Sequence, residues 1–283
     1  MSRKIKVGIV GFGNMGQAIA QQLKLSYEIY VFDKDPEKIK NASGIITIQK
    51  IGDILDIADL LILAVKPQDF RALLDTIKIF GSKKLVISIV AGIPTSFIEN
   101  YLDAGVRVIR AMPNLPAKIG RGMSCLCKGK SANDEDMIIA KAIFKQLGET
   151  LIFDENMDEE MMDTATAISG SGPGYLCDFI ELNDSNPTTI EKFQKDLREA
   201  AIESGFSKNN ATELAATTAA GTMAMLEVSN LTPSQLKEQV TSRGGTTEAG
   251  LKAWHEEGSL IAGIRAAYKR AKELFEQIKG EMK

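Results

Sequence analysis

The chain carries one histidine, His255, among its 283 residues. That scarcity removes whole classes of chemistry, because a Ser-His-Asp triad or a multi-histidine metal site needs imidazoles that converge. His255 stands in Trp254-His255-Glu256-Glu257, which reads as a polar helix end, so it is expected to be a solvated surface residue. The three cysteines, Cys125, Cys127 and Cys177, are too few and odd in number for a disulfide framework, and suit a reducing compartment. Cys125-x-Cys127 lacks the C-x-x-C spacing; two packed strand residues are expected there, and no metal site. Long runs of one charge sign are also missing: 34 basic residues face 37 acidic ones, for a net charge of −3. Such a balance leaves no electrostatic footprint for nucleic acid and no polybasic patch for a membrane surface. No apolar segment approaches the ~20 residues that span a bilayer. The first residues, Met1-Ser2-Arg3-Lys4, offer no signal-peptide core. A cytoplasmic protein without nucleic-acid or membrane partners is the expectation.

What is present begins with Gly11-Phe12-Gly13-Asn14-Met15-Gly16, a G-x-G-x-x-G directly after the apolar run Ile5–Val10 and before the amphipathic stretch Gln17–Leu25. Strand, glycine turn and helix together form the context in which this motif binds a dinucleotide. Gly11 permits the tight turn, Gly13 lets a pyrophosphate approach the backbone, and Gly16 lets the helix pack close to the strand. The free N–H groups of the helix start then face the phosphates. Asp33 ends the next strand-like run, about twenty residues on, where a carboxylate bonds the ribose hydroxyls of NAD. It would repel the 2′-phosphate of NADP, whereas Lys34 could pair with it. Asp33 and Asp35 can equally begin a turn and cap a helix after Pro36.

Residues 1 to about 153 alternate short apolar runs with helical patterns, the βαβ signature of a doubly wound sheet. The strand candidates are Ile5–Val10, Glu28–Phe32, Gly44–Ile48, Leu60–Val65, Leu85–Val90, Val106–Met112, Ser124–Lys128 and Thr150–Phe153. Helical patterns cover Gln17–Leu25, Pro67–Ile79, Thr95–Leu102 and Asp134–Leu147. Strand ends at Ala64-Val65-Lys66-Pro67, Ile89-Val90-Ala91-Gly92 and Arg110–Pro116 face the ligand crevice of such a sheet. Lys66 is a crevice residue or a solvated strand end. From Asp158 onward the strand runs vanish and six helical stretches follow, the last, Thr246–Lys279, broken near Gly258. The boundary is expected near Glu155–Asp158, giving a dinucleotide-binding domain over 1–156 and a helical domain over 157–283. Met157, Met161, Met162, Met223 and Met225 read as core or interface filler, and the apolar helices suggest pairing with a second copy.

Two loops interrupt the helical half. Ser169-Gly170-Ser171-Gly172-Pro173 and Thr241-Ser242-Arg243-Gly244-Gly245-Thr246-Thr247 each place paired glycines and hydroxyls before a helix start, which suits a small anion or a plain capped turn. On these residues, with Leu63–Gln68, Arg110–Gly122 and Val240–Leu251, nearly the whole chain resembles the pyrroline-5-carboxylate reductases. The resemblance implies an α/β Rossmann-type doubly wound sheet followed by an all-α C-terminal dimerisation domain. It implies a homodimer, with larger rings of dimers in the family, and a cyclic imine reduced by NAD(P)H at the dimer interface. Val10, Gly11, Phe12, Gly13, Asn14, Met15 and Gly16, with Ala64, Val65, Lys66, Pro67, Ile89, Val90 and Ala91, would line the cofactor beside Asp33 and Lys34. Ser242, Gly245, Thr246 and Thr247 would hold the substrate carboxylate. Thr247 would also hydrogen-bond the ring nitrogen, as the catalytic residue, and Glu159 and Gln239 would approach the substrate.

Departures from the family pattern fall near this inferred site. Arg243 stands where proline is usual, and Leu115 where threonine is usual. Ile51 replaces an asparagine often found near the adenosine ribose, which with Asp33 tilts the cofactor toward NADH. The segment 182–198 looks like an insertion or rearrangement. Three other readings compete: a reductase of a related cyclic imine; a hydroxyacid dehydrogenase using a helix lysine, with Lys192 and Lys195 as candidates; and a non-catalytic nicotinamide sensor.

Overall fold

The computed structural model of the protein describes residues 3–40, 42–80, 84–102, 105–153 and 159–280. All eight expected strands form, as β1 (Lys6–Val10), β2 (Glu28–Phe32), β3 (Ile46–Thr47), β4 (Leu60–Leu63), β5 (Leu85–Ser88), β6 (Val108–Pro113), β7 (Gly122–Lys128) and β8 (Gly148–Phe153). They make one sheet in the order β3-β2-β1-β4-β5-β6-β7-β8. Neighbours run parallel except β6 and β7, which pair antiparallel. The first six strands follow the order of a doubly wound dinucleotide fold. β4 and β5 are buried along their whole length, as continuous apolar runs require when helices cover both faces. β3 is shorter than expected and exposed, because it is an edge strand held only by β2.

Six helices cover the sheet: α1 (Asn14–Leu23), α2 (Pro36–Ile39), α3 (Ile51–Ile57), α4 (Pro67–Phe80), α5 (Thr95–Leu102) and α6 (Asp134–Phe144). One face packs Ile19, Leu23 and Phe144 against Val7, Ile9, Ile62 and Ile109. The other packs Ile54, Phe70, Leu74 and Ile98 against Val10, Leu61, Leu63 and Val86. The seven-residue α3 was not expected; it is too short to show a helical period.

The second half is helical, as expected: α7 (Met161–Ala165), α8 (Gly172–Asn183), α9 (Pro187–Glu203), α10 (Lys208–Ser229), α11 (Pro233–Val240), α12 (Thr246–Glu257) and α13 (Leu260–Gly280). Gly258 stops α12 in the left-handed conformation (φ 68°), at the expected break. The expected domain boundary, like Met157, lies outside the described residues. The far strands do not form a core of their own. Met123 and Cys125 of β7, with Leu151 and Phe153 of β8, share one apolar cluster with Met162, Leu176, Phe193 and Leu214 of the helices. A Cβ on Gly221 of α10 would lie 2.2 Å from the Arg121 carbonyl, so that glycine brings α10 directly onto the β6–β7 connection.

One expectation is corrected. Ser169–Pro173 is not an open loop: a π-turn over Thr166–Gly170 runs from α7 into α8. Asn114, at the end of β6, donates from Nδ2 to the Ser169 carbonyl at 3.0 Å, and its Oδ1 accepts from the Met123 amide at 2.8 Å. A widened turn frees a carbonyl, and this side chain satisfies it.

Candidate functional site

The glycine loop spans the three residues between β1 and α1, and the structure shows what each glycine does. Gly11 has φ 100°, and a Cβ there would lie 2.5 Å from the Ala64 carbonyl. A Cβ on Gly16 would lie 2.0 Å from the Gly11 carbonyl. Both are fold glycines. Gly13 differs: a Cβ there would meet no atom within 4 Å. It borders a cleft of about 560 Å³ whose lining includes Val10, Asp33, Lys34, Ala64, Val65 and Lys66. The open volume lies where a pyrophosphate would meet the N-terminus of α1.

Asp33 is buried at the end of β2 and accepts from the Phe12 amide at 2.7 Å and the Asp35 amide at 2.9 Å. Lys38 Nζ lies 3.4 Å away. Burial works against its charge, yet these donors outweigh burial and hold its carboxyl below the ordinary range. A carboxylate with a depressed pKa contributes stability that is present above the unfolded value and is lost as pH falls through the folded one. The loop therefore keeps its anion at neutral pH. Lys34 reaches Asp69 on α4 at 2.6 Å instead of standing free. Ile51 lines the same cleft. These features fit a dinucleotide. Gly13 leaves room for the phosphates, and Asp33 offers an anion for ribose hydroxyls.

The other expected cofactor positions are placed as follows. Pro67 opens α4, and Asn14, Met15 and Gly16 form the first turn of α1. Phe12 is buried, with its ring in the core under α1. Val90 is also buried, and Ala91 packs against the helical core. Ile89 packs against the core under α1. Just beyond them Gly92 has φ 76°, and its Cβ would lie 2.8 Å from the Ala271 carbonyl, so α13 crosses the end of β5.

The second loop joins α11 to α12. Thr247 is buried and donates from Oγ1 to Ser171 Oγ at 3.1 Å; Thr246 Oγ1 is 3.5 Å from the same oxygen. Three hydroxyls thus meet where the π-turn ends. The Gly244 amide donates to Glu248 Oε2 at 2.7 Å, and Arg270 Nε of α13 donates to the Gly244 carbonyl at 2.8 Å. A Cβ on Gly245 would lie 2.9 Å from the Ser242 carbonyl, so the backbone of the turn leaves little room for one. Ser242 and Arg243 are exposed. Successive residues of α13 therefore touch both half-sites: Arg270 holds the second loop, and Ala271 meets the end of β5. This cleft is lined by residues between Val10 and Thr76, so the second loop does not border it. Glu159 accepts from the Thr95 amide at 2.6 Å and the Thr95 hydroxyl at 2.9 Å, and lies 3.9 Å from Arg110. Gln239 accepts from Lys118 Nζ at 2.9 Å.

A profile described as pyrroline-5-carboxylate reductase dimerisation matches residues 159–274. A second, described as NADP oxidoreductase coenzyme F420-dependent, matches residues 6–92. The chain is 32% identical to pyrroline-5-carboxylate reductase 2 of Bacillus subtilis, over 97% of each chain. It is 34% identical to the pyrroline-5-carboxylate reductase of Methanosarcina acetivorans, over 94% of this chain and 93% of that one. The chain belongs to the pyrroline-5-carboxylate reductase family. Solved reductases of the family share its architecture. The Coxiella burnetii structure is 29% identical, with a TM-score of 0.63 over 96% of this chain and 99% of that chain. The Plasmodium falciparum reductase, solved with NADP bound, is 26% identical, with a TM-score of 0.60 over 95% of this chain and 98% of that one.

Set within this reductase family, the departures sort by position. Leu115 is buried in a small cluster with Cys177, Met225 and Leu236, so it packs the helical half. Arg243 is exposed on the loop between α11 and α12. Lys192 and Lys195 lie on the outer side of α9, each 3.9 Å from an acidic residue one turn on, as solvated helix pairs do. The three cysteines are free and buried, and burial pushes the Cys125 and Cys177 thiols up to about 12, so they are inert. His255 lies at the surface, as expected, and its Nε2 also lies 2.8 Å from Asp178 Oδ2. Nothing local in the sequence could show this, or the grip of Ser171 on Thr247. Each joins residues more than seventy positions apart.

Proposed function

We propose that this protein reduces 1-pyrroline-5-carboxylate to L-proline with NAD(P)H, as a homodimer whose interface completes the site. The observation that carries the reading is the Gly244–Thr247 loop. With the exposed Ser242 hydroxyl beside it, it leads into the N-terminus of α12, and α13 ties it to the end of β5. Bound NAD(P)H supplies the hydride for the imine carbon. The chain's own residues hold and orient. Gly13 leaves the phosphates their space, Asp33 takes the adenosine ribose, and Lys66 lies on the cleft wall at the end of β4. Ser242, Gly245 and Thr246 hold the substrate carboxylate. Thr247 donates to the ring nitrogen, and the proton that nitrogen gains comes from water through Thr246 and Ser171 to Thr247, each hydroxyl giving one proton and taking one. No histidine is needed for that relay. Glu159 and Gln239 stand on the approach to the substrate. The dinucleotide-binding domain covers 1–156 and the helical domain 157–283; dimers assemble further into a ring, and the enzyme works in the cytoplasm.

The deciding assay follows nicotinamide absorbance with pyrroline-5-carboxylate and either cofactor. No turnover with NADH or NADPH would sink the proposal. NADH is the preferred partner, because the 2′-phosphate of NADPH would approach the anionic Asp33 while Asp69 occupies Lys34. The ratio of kcat/KM for the two cofactors measures this, and a higher value with NADPH refutes it. Thr247→Ala removes the donor to the ring nitrogen. Catalytic efficiency should fall by one to two orders of magnitude, roughly 1–3 kcal/mol for one hydrogen bond to a charged group. An unchanged rate would remove Thr247 from the chemistry.

A further inference from the structure

One face of α8 is built to hold the loop that the proposed function assigns to the substrate. Ser171, Gly174 and Asp178 stand at i, i+3 and i+7, one side of a helix over two turns. Ser171 receives Thr247. A Cβ on Gly174 would lie 2.7 Å from Thr247 Cγ2 and 3.7 Å from Val240 Cγ1, so this glycine lets both edges of the loop sit down on the helix. Asp178 closes the face. Its Oδ1 accepts from Lys237 Nζ of α11 at 2.9 Å, and its Oδ2 lies 2.8 Å from His255 Nε2 of α12. It is only 7% exposed. Lys237 is further bonded to Glu181, one turn along α8. Trp254, beside His255, stacks on Phe179 at 5.9 Å and meets Tyr175 edge-on at the same distance, so the α12 side of the clamp is packed as well as charged.

The consequence is geometric. α11 ends at Val240 and α12 begins at Thr246, so the five loop residues hang between two helices that one carboxylate holds together. We infer that Asp178 is a positioning residue: by tying Lys237 to His255 it fixes the spacing of α11 and α12, and so the shape of the Ser242–Thr247 loop that receives the substrate. This rests on the proposed function for the substrate's identity, but not for the mechanics of the clamp. α11 is also held through Lys237 to Glu181 and through Gln239 to Lys118, but only Asp178, among the described residues, bonds a side chain of α11 and one of α12 at once.

The test compares wild type and Asp178→Ala as full-length dimers by two readouts. Amide hydrogen exchange needs no substrate. Residues 241–250 should exchange about tenfold faster or more in the variant, while the Gly11–Gly16 segment keeps its wild-type rate, because a local opening speeds only its own unit. In turnover, the substrate KM should rise about tenfold with kcat within about twofold, and nicotinamide binding followed by fluorescence should not change. His255→Ala, at a half-exposed position, should give the same pattern at about threefold and serves if Asp178→Ala does not fold. Unchanged exchange at 241–250, or equal acceleration of both glycine loops, overturns the inference. Absence of turnover in the wild type would instead overturn the assigned reaction and leave the exchange result to judge the clamp.

Discussion

Gly13→Ala is expected to weaken dinucleotide binding sharply and leave the fold unharmed. Gly13 has φ −77° and ψ −164°, a conformation alanine adopts without strain, and its added methyl group meets no atom within 4 Å. The protein alone therefore tolerates the change, and its melting temperature should stay within about 2 °C of wild type. The same methyl group fills the space over the N-terminus of α1 where phosphates would approach. Affinity for NADH should fall by about two orders of magnitude, roughly 3 kcal/mol. Gly16→Ala should do the reverse: its methyl would press on the Gly11 carbonyl at 2.0 Å, so the loss appears first in stability. Fluorescence titration beside thermal melts separates the two. Wild-type cofactor affinity in Gly13→Ala would remove the loop from the proposed site.

The second large effect is expected at Arg110. This side chain is 1% exposed, in the middle of β6, and its guanidinium bonds Asp163 of α7 while lying 3.9 Å from Glu159. Glu159 in turn holds the start of α5 through Thr95. One buried cation thus joins the sheet to the first turns of the helical half. Arg110→Met would strand Asp163, which is 7% exposed, without its partner. Breaking a buried pair from one side costs about 3–5 kcal/mol, which at fixed protein concentration lowers the melting temperature by roughly 10 °C. Adding Asp163→Leu removes the stranded carboxylate, and the double variant should recover most of the loss. A single variant that loses less than about 1 kcal/mol would show that the pair contributes little.

The legibility of this molecule follows the range of each interaction. The inner strands β4 and β5 were readable because parallel strands covered on both faces are continuous apolar runs, and Glu28–Phe32 was bounded to the residue. The Gly258 break was readable because a left-handed helix stop favours glycine. The glycine loop was readable because every one of its constraints lies within a few residues or at the next strand end. The substrate loop was visible as a composition, but not its mechanics. Arg270 on Gly244, Asp178 on His255 and Lys118 on Gln239 are contacts between distant helices, and no periodicity encodes them. Ser169–Pro173 misled for a related reason. Glycines and serines normally mark a loop, but here Gly172 faces Thr218, where a Cβ would lie 2.5 Å away, and so serves helix packing. His255 was readable as a surface residue from Glu256 and Glu257 beside it, but not its pairing with the buried Asp178.

The π-turn at Thr166–Gly170 sets a phase. An α-helix advances about 100° per residue, so the widened turn shifts everything after it by one residue's rotation relative to an unbroken α7–α8. Ser171, Gly174 and Asp178 all inherit that rotation. A chain shorter by one residue here could run as regular α-helix, but its α8 would present a different side to α11 and α12. Length at this point, more than the identity of any one side chain, decides which face of α8 the substrate loop meets. A single-residue deletion would thus leave the α11–α12 loop unchanged in sequence and still turn Ser171, Gly174 and Asp178 away from it.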